Sequence, residues 1–190
     1  MSVREPVSRR GGPVRPALSR TAIVEAALAV ADRQGLDAVS MRRVADELET
    51  GASALYVYIQ NRDDLLDAMF DHAMAAVAEA RLPEGDWRER LTSLLLLSIS
   101  TASGHGGLAR VALTTVPSGP NAIVVTERVR ALLAEGGIDG PAALDLLGLF
   151  VTGAALDRVP EVNSETHRQR LRWEIDVILS GLIAVGPPGP

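Results

Sequence analysis

In GASALYVYIQNRDDLLDAMFD, residues Gly51 to Asp71, two tyrosines one residue apart stand in a short apolar segment that runs into an Asn-Arg-Asp-Asp turn and then an amphipathic helix. Tyr56 and Tyr58 lie roughly 200° apart on a helix, so both cannot face a core. At least one therefore looks outward, either to meet something or as a half-packed aromatic at a helix end. The segment is too short to be stable by itself, and Leu55 with Ile59 at i and i+4 is the pair that anchors it. That leaves Ser53, Ala54, Tyr56, Val57 and Tyr58 off the anchored face.

Outward from this stretch the periodicity is helical nearly throughout, and strand-like alternation is absent. Ser19 caps a helix with Ile23, Ala26, Ala27, Val30 and Ala31 inward, closed by Gly35. Ser40 caps a second short helix with Val44, Ala45 and Leu48 inward. A turn containing Gly51 follows, and Ser53 caps a third helix through Gln60. Asn61 with Asp63 and Asp64 opens a fourth, running to about Arg81, because acids in a first turn suit the helix dipole. Asp86 with Glu89 resembles a capping box for a fifth whose centre, LTSLLLLSIS, is apolar on nearly every side and so buried all round. LARVALTT is a short sixth, residues 122–135 a seventh, 139–159 an eighth and 165–185 a ninth.

The composition narrows the function classes. With 190 residues and 47% hydrophobic content the chain is a folded globular protein with one substantial core or two small ones. It has no cysteine, which excludes disulfides, thiol catalysis and thiolate metal sites. Three scattered histidines leave little for zinc; His105 is read as a solvated loop residue, and His72 and His167 as surface groups. No long apolar run or signal-peptide core is seen, so the expected setting is the cytoplasm with no membrane partner. The net charge is −5, yet residues 1–62 hold 9 Arg against 7 acids and the remainder 10 Arg against 17 acids. A basic front on an acidic body suits a first segment that meets phosphate, and a basic arm without a partner would count the same way.

Two short helices joined by a tight turn behind a longer one form a helix-turn-helix pattern, residues 40–59, in which the third helix enters the major groove. An outward tyrosine hydroxyl then donates to phosphate, and its ring packs against a thymine methyl. Residues 17–77, through IVEAALAVADRQGLDAVSMRRVADEL and GASALYVYIQNRDDLLDAM, resemble the DNA-binding domain of the TetR family of bacterial repressors. The remainder, with DWRERL opening the fifth helix, more loosely resembles the ligand-binding and dimerisation domain of the tetracycline-repressor branch. The resemblance implies an all-α fold. Residues 1–16 are a flexible basic arm, 17–77 the DNA-binding domain, 78–186 the ligand-binding and dimerisation domain, and 187–190 a disordered tail.

Carried over by position, the resemblance assigns DNA contacts to Ser40, Arg42 and Arg43 on the second helix. It assigns others to Ala52, Ser53, Ala54, Tyr56, Val57 and Tyr58 on the third, and to Arg62 at the start of the fourth. Small side chains at 52–54 favour shape and methyl contacts over bidentate reading of guanine. Arg15 and Arg20 are further phosphate or minor-groove candidates. In a gapless comparison the branch's magnesium-binding and tetracycline-contacting histidines fall on Ala112 and Ala78, which implies a metal-free, mainly apolar effector and no cofactor. Candidate lining residues are Met69, Phe70, Met74, Val77, Ile99, Ser103, Val111, Leu113, Thr114 and Phe150, for each of which simple core packing is the preferred reading.

Leu144, Leu147, Val151, Ala154 and Ala155, with Gly148 and Gly153 for close approach, form one dimerisation stripe. Leu171, Ile175, Ile178, Leu179 and Leu182 form the other, making an isologous four-helix bundle between two copies; the alternative is that the two helices only close the core of a single chain. The function so read is a ligand-responsive regulator, most simply a repressor, that binds a pseudo-palindromic operator as a homodimer. The alternative is a helical carrier of apolar molecules without DNA binding. An enzyme is disfavoured, since no nucleophile and base stand at recognisable spacing; Asp63, Asp64, Asp67 and Asp71 are assigned to dipole and solvent.

Overall fold

The computed structural model describes residues 18–114, 118–157 and 164–186. The basic arm with Arg15, Val159 at the expected end of the eighth helix and the 187–190 tail lie outside the described residues. Among those described are nine α-helices and no strand: α1 Arg20–Gln34, α2 Met41–Glu47, α3 Ala52–Leu55, α4 Arg62–Glu79, α5 Trp87–Ser103, α6 Val111–Thr114, α7 Pro120–Glu135, α8 Pro141–Leu156 and α9 Glu165–Val185. No helix among them is long and apolar enough to cross a membrane.

Most helix starts follow from side-chain acceptors placed where the backbone N–H groups lack partners. Ser19, Ser40, Asn61 and Asp86 accept from the N–H groups of Ala22, Arg43, Asp64 and Glu89 at 3.1, 3.3, 2.9 and 2.9 Å. Ser164 does the same for α9. Proline at the first turn starts α7 and α8, since its fixed φ suits the helix and its missing N–H costs nothing there. That places α7 two residues earlier and α8 two residues later than the periodicity suggested.

The third helix departs from expectation. It spans only Ala52–Leu55, its cap is Gly51 with no side-chain bond, and the turn continues through Tyr58. Ser53 is therefore an exposed residue within the helix rather than its cap. The left-handed position of the α2–α3 turn belongs to Glu49, at φ 48°, while Gly51 has an ordinary φ of −83°. A 3-10 turn at Leu36–Ala38, which the pattern did not reveal, joins α1 to α2, and a second at Leu108–Arg110 forms the front half of the expected sixth helix.

α1, α2 and α3 form a small head with Ile23, Ala27, Val44, Leu55 and Ile59 at 0% exposure. α5 runs through the body in contact with α4, α7, α8 and α9, which buries Leu91, Leu94, Leu95 and Ile99. Head and body are joined in two ways: the start of α4 packs on α1, and the Gly104–Gly107 loop docks on the end of α1. Leu36 N–H donates to Gly106 O at 3.0 Å, and Arg110 pairs with Asp37. His105, expected in solvent, lies 3.3 Å from Asp32 at this joint. His167, expected at the surface, is 4% exposed because it begins the inward i+4 stripe His167–Leu171–Ile175–Leu179 of α9.

Gly106 has no tolerated replacement at this joint. Its φ is +31°, and a Cβ there would stand 2.2 Å from Ala31 O. Gly137 also has positive φ, +72°, but open space around it. Gly106→Ala should therefore lower stability by at least about 2 kcal/mol, through the clash as well as the backbone, against about 1 kcal/mol for Gly137→Ala. Equal losses in chemical denaturation would refute the docking.

Candidate nucleic-acid interface and ligand cavity

The head presents a compact outward surface. Leu55 and Ile59 are wholly buried, and the chain between them turns Tyr56, Val57 and Tyr58 outward at 54%, 79% and 39% exposure. Both tyrosines, not one, reach solvent. Ser53 is exposed, and Ala52 and Ala54 are half-buried beside it. Arg42 is exposed with no partner among the described residues. Arg43 is exposed but donates to the Gln34 side chain.

Two arginines assigned by resemblance or position to phosphate bond within the head. Arg62 donates through Nε to Val39 O at 3.1 Å and through Nη2 to Leu36 O at 3.3 Å. Arg20 donates to Tyr58 O at 2.7 Å and pairs with Asp64 at 2.6 Å. Asp64 also accepts from Gln60 N–H. The hydrogen bond from Arg20 holds the Asp64 carboxyl below the usual carboxylate range, against the opposing effect of its partial burial.

Of the acids of α4, Asp63 stays exposed in the first turn as expected, but Asp64, Asp67 and Asp71 are bonded within the fold. Asp67 accepts from Ser118 Oγ at 3.0 Å. Asp71 accepts from Asn121 N–H, Asn121 Nδ2 and Ala122 N–H at 2.8, 2.9 and 3.0 Å, so a side chain of α4 caps α7. Gly119 permits this approach, since a Cβ there would meet the Asp71 carboxyl carbon at 2.2 Å. Arg128 of α7 completes the clasp, donating to Val77 O, Ala78 O and Ala80 O at the end of α4. Each helix thus supplies the terminal partners of the other.

Between these helices lies a cavity of about 580 Å³, within the range of small-molecule sites. α4 contributes Phe70 and Met74, α5 Leu95 and Ser98, and α6 Ala112 and Leu113. α7 contributes Ala122, Val125, Thr126 and Val129, and α8 the face from Leu144 to Thr152. Of the candidates read from sequence, Phe70, Met74 and Leu113 line it. Met69, Val77, Ile99 and Val111 do not, being at most 2% exposed in the core. Ser103 is turned to Ile99 O and Ala155 O, Thr114 bonds back to Arg110 O and Val111 O, and Phe150 packs against the core. Ser98, Thr126, Asp145 and Thr152 on the wall were missed, because an isolated polar residue in a helix carries no sign of what it faces. Among the described residues no group of three or more His, Cys, Asp or Glu gathers as a metal site.

The stripes read as dimerisation surfaces are corrected. Leu147, Leu171, Ile175 and Leu179 are at most 3% exposed, and Leu144, Val151, Ala154, Ile178 and Leu182 pack half-buried against the same core. The opposite faces are open and apolar. Leu146, Leu149 and Gly153 lie along α8, and Trp173, Val177 and Gly181 at i+4 spacing along α9. Leu149 and Trp173 are 66% and 67% exposed, and a Cβ at Gly153 or Gly181 would meet nothing within 4 Å.

Residues 23–69 match the model of bacterial regulatory proteins of the tetR family, and residues 79–182 the tetracyclin repressor-like C-terminal domain. The chain belongs to the TetR family. It is 34% identical over 158 residues to the HTH-type transcriptional repressor DrrR1 of Streptomyces coeruleorubidus, covering 81% of this chain and 58% of that protein. It is 35% identical over 157 residues to an HTH-type transcriptional regulator of Saccharopolyspora erythraea, covering 81% and 65%. The chain therefore spans less than two thirds of the length of these relatives. The Streptomyces coelicolor TetR family protein ActR in complex with actinorhodin superposes with a TM-score of 0.76 at 32% identity, over 88% of this chain and 96% of that one. The all-α fold with an N-terminal helix-turn-helix head is the TetR-family fold.

The Arg20–Asp64 pair gives this TetR-family head a pH dependence of definite sign. A carboxyl held low in the folded state contributes stability above its ordinary range, near pH 4, and loses it as pH falls through the folded value. The two side chains are 49% and 24% exposed, so the contribution is at most about 1 kcal/mol. Wild type should melt higher than Asp64→Asn at pH 7, with the gap narrowing as the pH falls below the ordinary carboxylate range. A gap that persists unchanged at low pH would contradict this.

Proposed function

We propose that the chain is a ligand-responsive DNA-binding transcriptional regulator, a repressor that acts as a homodimer in the cytoplasm. It leaves a pseudo-palindromic operator when a small, mainly apolar molecule fills the cavity. The observation that carries the reading is the outward display of Tyr56, Val57 and Tyr58, together with exposed Arg42, which has no partner among the described residues, on a head whose other large apolar side chains are buried or half-buried against the core. Large apolar groups held in water on a turn anchored at both ends by buried Leu55 and Ile59 mark a contact surface. The TetR-family match, with relatives named as a transcriptional repressor and regulator, supports DNA as the contact.

In this reading Arg42 meets phosphate, as do the N–H groups of Arg43 and Arg62 that their internal bonds leave over. Ser40, which caps α2, sits at the backbone. Ala52, Ser53 and Ala54 give a small surface fitted to thymine methyls, flanked by the tyrosines. Domain limits near 17–77 and 78–186 follow from the same division of labour. We read the protein as a binder rather than a catalyst, because the hydroxyls on the cavity wall donate their protons to backbone carbonyls and none is bonded to a side-chain base.

A helix-turn-helix covers few base pairs, so two heads must be held about 34–36 Å apart to read successive turns. The open faces of α8 and α9 supply the pairing surface: Leu146, Leu149, Trp173 and Val177 meet their copies, and Gly153 and Gly181 allow the backbones to approach. Ligand then favours the dimer geometry whose head spacing no longer matches the half-sites, and by linkage it binds the operator complex less tightly than the free protein.

Selection of random duplex fragments at near-physiological salt tests the DNA reading. A pseudo-palindrome with half-sites one helical turn apart should emerge. Arg42→Ala should weaken every selected site alike and reduce the salt slope by about 1, while Tyr56→Ala should erode the enrichment. Enrichment no greater than that of a variant carrying both Arg42→Ala and Tyr56→Ala would sink it. For assembly, Trp173→Asp should give monomers in sedimentation equilibrium with an unchanged helical spectrum, whereas Leu171→Asp should unfold the chain. A dimer that survives Trp173→Asp would place the interface elsewhere.

A further inference from the structure

The polar groups on the cavity wall all point to one ligand chemistry. Ser98 Oγ donates its proton to Leu94 O at 2.9 Å, Thr126 Oγ1 to Ala122 O at 3.0 Å, and Thr152 Oγ1 to Gly148 O at 2.8 Å. Each hydroxyl spends its single proton on the carbonyl one turn back, so what it shows the cavity is lone pairs. The fourth polar side chain, Asp145, is a carboxylate with no hydrogen bond or ion pair among the described residues. No Arg, His, Asn, Gln, Tyr or Trp lies among the described lining residues, and the chain has no Lys. The wall therefore accepts through three hydroxyl oxygens and a carboxylate, and no side chain on it has a proton to give.

We infer that the cavity is built for a lipophilic organic cation: an apolar, ring-sized body carrying a protonated amine that pairs with Asp145, with hydroxyl or amine donors directed at Ser98, Thr126 and Thr152. This rests on the cavity being the effector site proposed above. An anionic ligand would place its charge against acceptors with no donor to receive it, losing its hydration without replacement. A neutral hydrocarbon would fill the space but leave the four acceptors facing apolar surface. A cation with donors satisfies both the wall and its own charge. The surrounding charge acts in the same direction, since residues 63–190 carry 10 Arg against 17 acids and so draw cations toward the body. Leu149, next to Asp145 on the cavity wall, also belongs to the open face of α8, so pairing of two chains would shield this carboxylate from water and strengthen its demand for a counter-charge.

Three fluorescent probes of one size separate the possibilities: anthracenylmethylamine, anthracenylmethanol and anthracene carboxylate, titrated into the full-length chain near neutral pH. The amine should bind at least tenfold more tightly than the alcohol, about 1.4 kcal/mol, and the carboxylate most weakly. Asp145→Asn should bring the amine and alcohol within about twofold while leaving the alcohol unchanged, and Asp145→Glu should retain most of the preference. Asp145 is exposed, so the Asn variant is expected to fold, and an unchanged melting curve confirms it. An amine preference that survives Asp145→Asn, a carboxylate bound as well as the amine, or no binding by any probe would overturn the inference. Operator release measured in the same samples keeps the two readings apart. Asp145-dependent amine binding without release upholds the ligand class and removes the effector role.

Discussion

The structure depends on one shared helix. α4 begins inside the head, where Arg62 bonds to Leu36 O and Val39 O, Asp64 pairs with Arg20, and Leu65 is wholly buried. Eight residues after Arg62, a rise of roughly 12 Å, the same helix places Phe70 on the cavity wall. No flexible linker lies between the two. The first turn of α4 is held by hydrogen bonds to α1 and to the α1–α2 connection, so a tilt of α4 carries the head with it.

Much of this was legible in the sequence because the signals were local. Ser19, Ser40, Asn61 and Asp86 are acceptors at the one place where a helix needs them, and they set four helix starts within a residue. Leu55 and Ile59 at i+4 in so short a segment had to be anchors, which forced the tyrosines outward. Where local rules compete, the reading slipped. Ser53 looked like a cap, but the backbone turn closed at Gly51, and Glu49 took the left-handed position that glycine usually fills. Arg20 and Arg62 read as free cations because sequence does not show which carbonyls lie across the fold.

The α8 and α9 faces were misassigned for a different reason. Both helices are apolar on two sides, so periodicity finds a stripe without saying whether the chain's own core or a second copy covers it. Leu147, Leu171, Ile175 and Leu179 make the regular stripe and fill the core, while Leu149, Trp173 and Val177 make the other and stay in water. The solvated stripe is marked by a large aromatic, Trp173, with Val177 and Gly181 four and eight residues on. It was overlooked because leucine and isoleucine runs are the stronger pattern.

The cavity cannot change width without acting on α4. Its walls include α4 through Phe70 and Met74 and α7 through Val125, Thr126 and Val129. Those two helices are locked at both ends of their contact, Asp71 capping α7 and Arg128 closing the end of α4. Spreading them by ligand would cost several charge-assisted hydrogen bonds at about 1.5–3 kcal/mol each, so the pair moves as a unit and the displacement falls on softer contacts. One such contact is the joint between α1 and the Gly104–Gly107 loop, where His105 meets Asp32 and Arg110 meets Asp37 through exposed pairs that contribute little. In the proposed regulator, the stiff clasp and the weak joint together would direct any ligand-induced motion toward the angle between head and body, which is the variable that would set head spacing in a dimer.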